Sequence, residues 1–135
     1  MLSFSNFGST RHPLADKVRQ ATEIVKKRSP HLIIDGELQA DTAVVPEILS
    51  EFYPFSPLAQ SGGANILIFP NLEAANTSFK LMNRLGGAEA IGPILIGMRK
   101  PVHLLQVGDY NELDVVNTTA VAVVDAQTAH PLVIL

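Results

Sequence analysis

The chain has 135 residues, of which 47% are hydrophobic and 17% charged, with a net charge of −3 and no cysteine. The acidic balance provides no basic surface for nucleic acid or an anionic membrane. The absence of cysteine excludes disulfides and thiolate metal sites. No apolar run approaches the ~20 residues that span a bilayer. We expect one soluble, cytoplasmic domain. A typical domain has roughly 25% charged residues, so we also expect partner chains, or a missing part of the same chain, to cover some of the surface.

The first part of the chain alternates short apolar segments with helical patterns. Residues 2–5 predict a strand, and the polar loop 6–10 leads to Pro13, a residue tolerated in the first turn of a helix. Apolar residues at helical spacing then predict a helix over 14–28. The run 32–37 begins apolar and ends acidic, which is typical of a buried strand that ends at a site-forming edge.

The rest of the chain continues the alternation. A helical pattern at 38–52 contains Pro46, which either kinks or restarts the helix. Strands that alternate with helices predict an α/β unit with a mostly parallel sheet. We expect further helices at 72–85 and 111–127, and extended or apolar segments at 64–69, 88–98 and 102–106.

Polar residues in the first loop are candidates for ligand binding. In an open α/β sheet, ligands bind beyond the carboxyl ends of the strands. Asn6, Ser9 and Thr10 lie in such a loop before a helix, where backbone N–H groups and the helix dipole favour an anion. They could donate hydrogen bonds to a phosphate or carboxylate, and a capped turn without a ligand is the alternative interpretation.

Two charged clusters are further candidates. Asp35, Glu37 and Asp41 place three carboxylates within seven residues, which suggests a metal or acid/base site. Hydrogen bonding of Asp35 and Glu37 to neighbouring backbone at a strand end is the preferred interpretation. Lys80 and Arg84 lie four residues apart on one helical face and could present two cations to phosphates. A solvated helix face is the alternative for that pair.

The histidines and the short motifs indicate no known chemistry. The four histidines share no metal-like spacing, so we expect no zinc site. His103 lies between apolar neighbours, which is typical of a core or interface residue. The sequence contains none of the common phosphate-loop, dinucleotide-binding, hydrolase or zinc-protease motifs.

Long segments occur in an order that resembles the C-terminal part of phosphate acetyltransferases. They are LSFSNFGS, IDGELQAD, ANILIFPNLEAAN, SFKLMNRLGGAEAIGPILIGM, KPVHLL and a last helix ending AVAVVDAQ, and they cover essentially the whole chain. The resemblance implies the three-layer α/β fold of the isocitrate and isopropylmalate dehydrogenases. Residues 1–135 would be the C-terminal segment of a phosphotransacetylase-like domain. Such enzymes transfer acetyl between acetyl phosphate and coenzyme A in a cleft between two domains.

The chain departs from that family in two places. Family members have a Ser-Arg pair where this chain has Gln106 and Val107, and valine cannot supply the charge or hydrogen bonds that arginine gives an acyl phosphate. The first loop reads SNFGS where transacetylases usually have STKGS, so a lysine is replaced by Phe7. The family's aspartate near the start of the last helix corresponds to Asp114, which would be the catalytic base only in a transacetylase.

SNFGS, PVHLLQ and VVNTTAVAVVDAQ resemble more closely the C-terminal domain of fused bacterial malic enzymes. That resemblance implies upstream malic and NAD-binding domains in the same chain, which use NAD(P) and a divalent metal to convert malate to pyruvate and CO₂. This segment would bind no cofactor of its own and would act as a regulatory, acetyl-CoA-sensing domain of a homo-oligomer. Lys80, Arg84 and the loop 6–10 would contact acetyl-CoA.

The alternative is an active phosphate acetyltransferase. In that case Asp114 would be the base, and Ser9 or Asn6 would hold the phosphate. The absent Ser-Arg pair counts against this alternative.

Overall fold

The computed structural model of the protein describes residues 1–98, 100–105 and 110–128. The predicted helices at 14–28, 72–85 and 111–127 are confirmed. The pattern at 38–52 forms two helices that meet at Val45, because Pro46 restarts the helix. The helices of these residues are α1 (Pro13–Arg28), α2 (Ala40–Val44), α3 (Pro46–Phe52), α4 (Pro57–Gln60), α5 (Leu72–Leu85) and α6 (Glu112–Thr128). None of them has the length and apolarity that crossing a bilayer requires.

The start of α1 is fixed by its first two residues. Pro13 occupies the first turn, where the missing N–H costs nothing. The Nδ1 atom of His12 accepts a hydrogen bond from the Leu14 N–H at 3.2 Å, which caps the helix. Ala15 and Val18 are buried on the inner face of the helix. The helix therefore holds the preceding loop against the core.

The described residues form two compact units, one within residues 1–80 and the other within residues 81–128. In the first unit, the N-terminal segment lies between two other extended segments. The Ser3 N–H donates to the Leu38 carbonyl at 2.8 Å, and the Leu38 N–H donates to the Met1 carbonyl at 3.1 Å, which makes a parallel bridge. On the other side, the Leu2 N–H donates to the Ile68 carbonyl at 2.8 Å.

The core of the first unit lies beneath these segments. Partly buried residues, among them Phe7, Tyr53 and Leu67, pack against it. Its fully buried hydrophobic members are Leu2, Leu38, Ala43, Leu49 and Leu58.

The residues that the structure describes contain no continuous strand. Their β pairings are two isolated bridges, Leu2 with Leu38 in parallel and Ile94 with His103 in antiparallel orientation. A sheet requires several neighbouring strands to satisfy both edges of each member. The mostly parallel, three-layer sheet therefore stays a prediction.

The second unit exposes many apolar side chains. None of the residues of α6 is buried. Leu85 is 82% exposed and Ile96 is 89% exposed. Such exposure agrees with the low charge content, and the covering of this surface by a partner remains a prediction.

Candidate functional site

The loop of residues 5–10 is closed by hydrogen bonds within the loop and to Glu37. Phe7 and Gly8 have φ angles of +48° and +83°, and these left-handed conformations reverse the chain before α1. Each backbone N–H from residue 6 to residue 10 donates to an acceptor in the same unit over 2.7–3.0 Å. The donor and acceptor pairs are Asn6 with Ser9 Oγ, Phe7 with Glu37 O, Gly8 with Glu37 Oε1, Ser9 with Asn6 O, and Thr10 with Ser5 Oγ.

This geometry matches the capped turn that was the alternative interpretation of the loop. The five N–H groups are engaged, so an anion would have to displace existing hydrogen bonds to reach them. The Ser9 hydroxyl is engaged too, because its Oγ accepts the Asn6 N–H at 2.9 Å and lies 3.3 Å from Ser5 Oγ, so a ligand would compete with these contacts. A ligand role for Asn6, Ser9 and Thr10 stays a prediction.

Asn6 connects the loop to the segment that precedes α2. Its Oδ1 accepts a hydrogen bond from the Gln39 N–H, and its Nδ2 donates to Gln39 Oε1 at 3.1 Å. Gln39 Nε2 in turn donates to the Phe4 carbonyl at 2.9 Å. Asn6 therefore positions the loop, and its amide group is already occupied in doing so.

Glu37 is a buried carboxylate beneath the loop. It is 0% exposed, and its Oε1 accepts hydrogen bonds from the Ser5 hydroxyl at 2.9 Å and the Gly8 N–H at 2.7 Å. Its Oε2 is buried and has no hydrogen-bond partner among the described residues. The side chain thus holds the loop closed.

Asp35 is the second buried carboxylate of the acidic cluster. It accepts hydrogen bonds from Lys26 Nζ at 2.8 Å and the Ser56 hydroxyl at 2.7 Å, so its charge is paired. The amino group of Met1 donates to the Asp35 carbonyl at 2.9 Å. Burial lowers the pKa of this amino group below its ordinary value, and the charge of Asp35 partly opposes that effect.

The acidic cluster does not come together as a metal site in the described residues. Asp41 is exposed in the first turn of α2, and its Oδ1 accepts a hydrogen bond from the Thr42 N–H at 2.8 Å. No group of three or more histidine, aspartate or glutamate side chains in this part of the chain could hold a metal ion. Hydrogen bonding within the fold, the preferred interpretation, accounts for Asp35 and Glu37.

Lys80 and Arg84 lie one helical turn apart on α5. Both side chains are exposed, and Lys80 Nζ lies 5.1 Å from the centre of the Phe79 ring. Their spacing places two cations on one side of the helix, as predicted. Phosphate binding by this pair stays a prediction.

Asp114 forms a reciprocal cap with Asn111 at the start of α6. Asn111 Oδ1 accepts hydrogen bonds from the N–H groups of Leu113 at 2.8 Å and of Asp114 at 3.1 Å. Asp114 Oδ2 accepts from the Asn111 N–H at 2.7 Å. This is the capping-box arrangement, in which two side chains satisfy the free N–H groups of a helix terminus.

An apolar cavity of about 630 Å³ lies within the second unit. Its polar lining residues are Lys100, His103, Asp125 and Thr128, and His103 Nε2 lies 3.1 Å from Asp125 Oδ2. The apolar neighbours of His103 in the sequence predict a core or interface position, without a link to Asp125. The two residues are 22 positions apart, and no sequence spacing indicates this contact.

Comparison with known proteins identifies the family of the chain. The family model described as "Phosphate acetyl/butaryl transferase" matches residues 1–123. The chain belongs to this family. The resemblance to phosphate acetyltransferases and to fused malic enzymes is thereby confirmed.

Both kinds of relative match along nearly the whole chain. The phosphate acetyltransferase of Thermoanaerobacterium thermosaccharolyticum is 54% identical over 90% of the chain, which spans 37% of that protein. The NADP-dependent malic enzyme of Escherichia coli is 46% identical over 95% of the chain, which spans 17% of that protein. The solved structure of a phosphotransacetylase from Streptococcus pyogenes is 46% identical, with a TM-score of 0.79 over 91% of this chain and 38% of that one.

Of the two sequence departures from phosphate acetyltransferases, only the one at Phe7 lies in the described residues. Phe7, at the position where the resemblance implies a lysine, packs its ring against Tyr53 and Phe55 with centroid distances of 5.2 and 4.9 Å. The position therefore contributes to packing instead of carrying a charge. Gln106 and Val107 lie outside the described residues.

Proposed function

We propose that the chain is the regulatory, acetyl-CoA-sensing and oligomerisation domain of an NAD(P)-dependent malic enzyme. The observation that carries the proposal is the cap at the start of α6. In a transacetylase, the Asp114 carboxylate would be the catalytic base. Here it accepts a hydrogen bond from the Asn111 N–H at 2.7 Å, so Asp114 caps the start of α6. Val107 also lacks the charge that would stabilise an acyl phosphate.

Acetyl-CoA recognition would involve charged and uncharged contacts. Lys80 and Arg84 would attract the phosphates of the ligand. Ser9 and Thr10 would offer hydroxyl groups to its uncharged part, because the loop N–H groups are engaged, and Ser9 would exchange its 3.3 Å contact with Ser5 Oγ for one with the ligand. Asn6 would act by holding the loop in place through Gln39.

The remainder of the parent protein would supply the chemistry. Upstream malic and NAD-binding domains would hold NAD(P) and a divalent metal and oxidise malate to pyruvate and CO₂ in the cytoplasm. The malic-enzyme relatives support this, since the chain spans only 17% of the E. coli protein. In the complete domain, the three extended segments around Leu2 would join a three-layer sheet with a mostly parallel order. The exposed apolar side chains of α5 and α6 support a homo-oligomer.

The second candidate is a phosphate acetyltransferase. It is favoured by the 54% identity to the Thermoanaerobacterium enzyme, which exceeds the 46% identity to the E. coli malic enzyme. Under this alternative, Asp114 would leave its cap to accept a proton from coenzyme A.

Phosphate-dependent cleavage of acetyl-CoA by the full-length parent protein tests the two candidates. The regulatory proposal expects no turnover. Turnover of roughly 1 s⁻¹ or more, in the range of ordinary enzymes, together with its loss in Asp114→Asn, would establish the transacetylase instead. Glu112→Gln, a neighbouring exposed carboxylate in the same helical turn, is the matched control.

A further inference from the structure

Three aromatic rings of the first unit form a cluster at the candidate loop. Between ring centroids, Phe7 lies 5.2 Å from Tyr53 and 4.9 Å from Phe55, and Tyr53 lies 6.1 Å from Phe55. The Phe55 ring meets these neighbours at interplanar angles of 65° and 87°, which is the favoured edge-to-face arrangement of aromatic pairs. The two contacts fix the plane of the Phe55 ring.

Packing against the core accounts for two of these rings but not for Phe55. Phe7 and Tyr53 are partly buried and pack against the hydrophobic core. Phe55 is 69% exposed, so most of its side chain is accessible to a ligand. An exposed aromatic ring forgoes the stabilisation that burial would give. A role in binding therefore explains its position better than a role in the core.

The turn that contains Phe55 is held firmly in place. The Ser56 N–H donates to the Tyr53 carbonyl at 2.9 Å, so Pro54 and Phe55 are the central residues of a tight turn. The Ser56 hydroxyl donates to the buried Asp35 carboxylate at 2.7 Å, and the proline ring restricts the backbone further. A ligand that stacks on Phe55 therefore loses little binding free energy to ordering of the protein.

Phe7 has an unfavourable backbone conformation that the fold maintains. Its φ angle is +48°, and in the described part of the chain no other residue except glycine has a positive φ. Bulky side chains are disfavoured in this region. The Phe7 and Gly8 N–H groups donate to Glu37 and hold the conformation. Such maintained strain indicates a functional position, and it places one ring of the cluster in the loop that contains Ser9 and Thr10.

We propose that this cluster is a stacking platform for the adenine ring of acetyl-CoA, with Phe55 in direct contact with the base. The inference rests on the proposed function and names the subsite for the nucleotide. Adenine is the single aromatic group of acetyl-CoA and is uncharged at neutral pH. Base stacking requires an aromatic face and no charged partner, which agrees with a cluster of Phe7, Tyr53 and Phe55. Because Phe7 belongs to the candidate loop, one ligand can contact both the platform and the loop hydroxyls.

Two ligands test the platform in isothermal titrations of the full-length protein. They are acetyl-CoA and acetylated phosphopantetheine, which lacks the adenine nucleotide. Phe55→Leu keeps an apolar side chain but removes the ring, so it should weaken acetyl-CoA binding roughly tenfold and leave the affinity for acetylated phosphopantetheine unchanged. Phe55→Tyr keeps the ring and should bind acetyl-CoA as tightly as the wild type does.

Phe52→Leu is the matched control. Phe52 is 62% exposed in α3 and belongs to no ring pair among the described residues, so its loss should leave both affinities unchanged. The platform would be overturned by an undiminished acetyl-CoA affinity in Phe55→Leu, by an equal loss in Phe52→Leu, or by an equal loss for the two ligands. Should acetylated phosphopantetheine bind too weakly to titrate, the contrast between Phe55→Tyr and Phe55→Leu decides the matter.

Failure of the proposed function gives a different result. A wild-type protein that does not bind acetyl-CoA at all would contradict acetyl-CoA sensing and the platform together. Acetyl-CoA binding that is insensitive to Phe55→Leu would contradict the platform alone. If Phe55→Leu changed the oligomeric state without changing the acetyl-CoA affinity, the ring would be assigned to a subunit contact and the platform would be overturned.

Discussion

Glu37 accepts a hydrogen bond from the Gly8 N–H at 2.7 Å, which ties the loop before α1 to a distant part of the chain. The same oxygen accepts the Ser5 hydroxyl at 2.9 Å. A single buried oxygen therefore holds two points of the loop. The candidate ligand contacts Ser9 and Thr10 depend on this connection for their positions.

Removal of the Glu37 side chain should destabilise the protein strongly. Glu37→Ala leaves the buried Ser5 hydroxyl and the Gly8 N–H without their acceptor and opens a cavity, so the free energy of unfolding should fall by about 3 kcal/mol. Glu37→Gln keeps an oxygen acceptor and should lose only about 1 kcal/mol. Urea denaturation of the variants measures both values.

Glu51→Ala is the matched control for Glu37, since Glu51 is exposed at the end of α3. Its effect should stay within about 0.5 kcal/mol. If Glu37→Ala unfolded at the same urea concentration as Glu51→Ala, the loop would not depend on the buried carboxylate.

Gly36 should tolerate no side chain. Its φ angle is +147°, and a Cβ atom there would lie 2.6 Å from the Met1 carbonyl oxygen and 2.8 Å from Met1 Cβ. Gly36→Ala should therefore cost about 3 kcal/mol or more. Gly62→Ala is the control, because Gly62 has φ +77° but open space around it, and it should cost about 1 kcal/mol from backbone strain alone. Equal thermal unfolding temperatures for both variants would contradict the close approach of the N-terminal segment.

The cap of α6 predicts a structural effect of Asp114. Asn111→Ala removes the acceptor for two N–H groups and should lower the stability of the helix by about 1 kcal/mol. Asp114→Ala should lower it by a similar or smaller amount, because it removes one hydrogen bond and a favourable charge at the helix N-terminus. Thermal unfolding followed by circular dichroism measures these losses.

In the capping experiment, Glu112→Ala is the control that removes a charge from the same turn. It should cost only about 0.3 kcal/mol. If Asp114→Ala were as stable as the wild type, the carboxylate would not stabilise α6. A role for Asp114 as a catalytic base would then be favoured.

Much of the helical structure is predictable from the sequence, and the pairing of distant segments is not. Apolar spacing predicts α1 and α6, the flanking Pro70-Asn71 and Gly86-Gly87 pairs bound α5, and Pro46 marks the break between α2 and α3. These signals lie within a few consecutive residues. The contact of Gly8 with Glu37 and that of His103 with Asp125 depend on how segments pack. Neither contact corresponds to a periodic pattern in the sequence.

Asp114 illustrates how a local signal can be overlooked. Asn111 and Asp114 have the spacing of a capping box, which is readable from the sequence. The resemblance to phosphate acetyltransferases draws attention to Asp114 as a base instead. The predicted strand at 2–5 forms a single bridge, to Leu38, in the described residues. Strand pairing depends on segments that are distant in the sequence, so residues 2–5 alone cannot predict it.

The basic pair on α5 should determine how strongly acetyl-CoA binds. Lys80→Ala and Arg84→Ala should each weaken acetyl-CoA binding roughly tenfold through loss of charge-assisted contacts to phosphate. Lys27→Ala, which removes an exposed cation from the last turn of α1, is the control and should leave binding unchanged. Isothermal titration of the full-length protein provides the affinities, and equal values for all three variants would exclude α5 as a phosphate contact.

The central claim is tested most directly by the rate of malate-dependent NAD(P)⁺ reduction by the full-length parent protein, with and without acetyl-CoA. We predict that acetyl-CoA changes the rate at subsaturating malate at least fivefold, in the range usual for allosteric coupling. We also predict that Lys80→Ala with Arg84→Ala abolishes this effect while leaving the basal rate unchanged. A parent protein that does not oxidise malate, or one whose rate is the same with and without acetyl-CoA, would contradict the account.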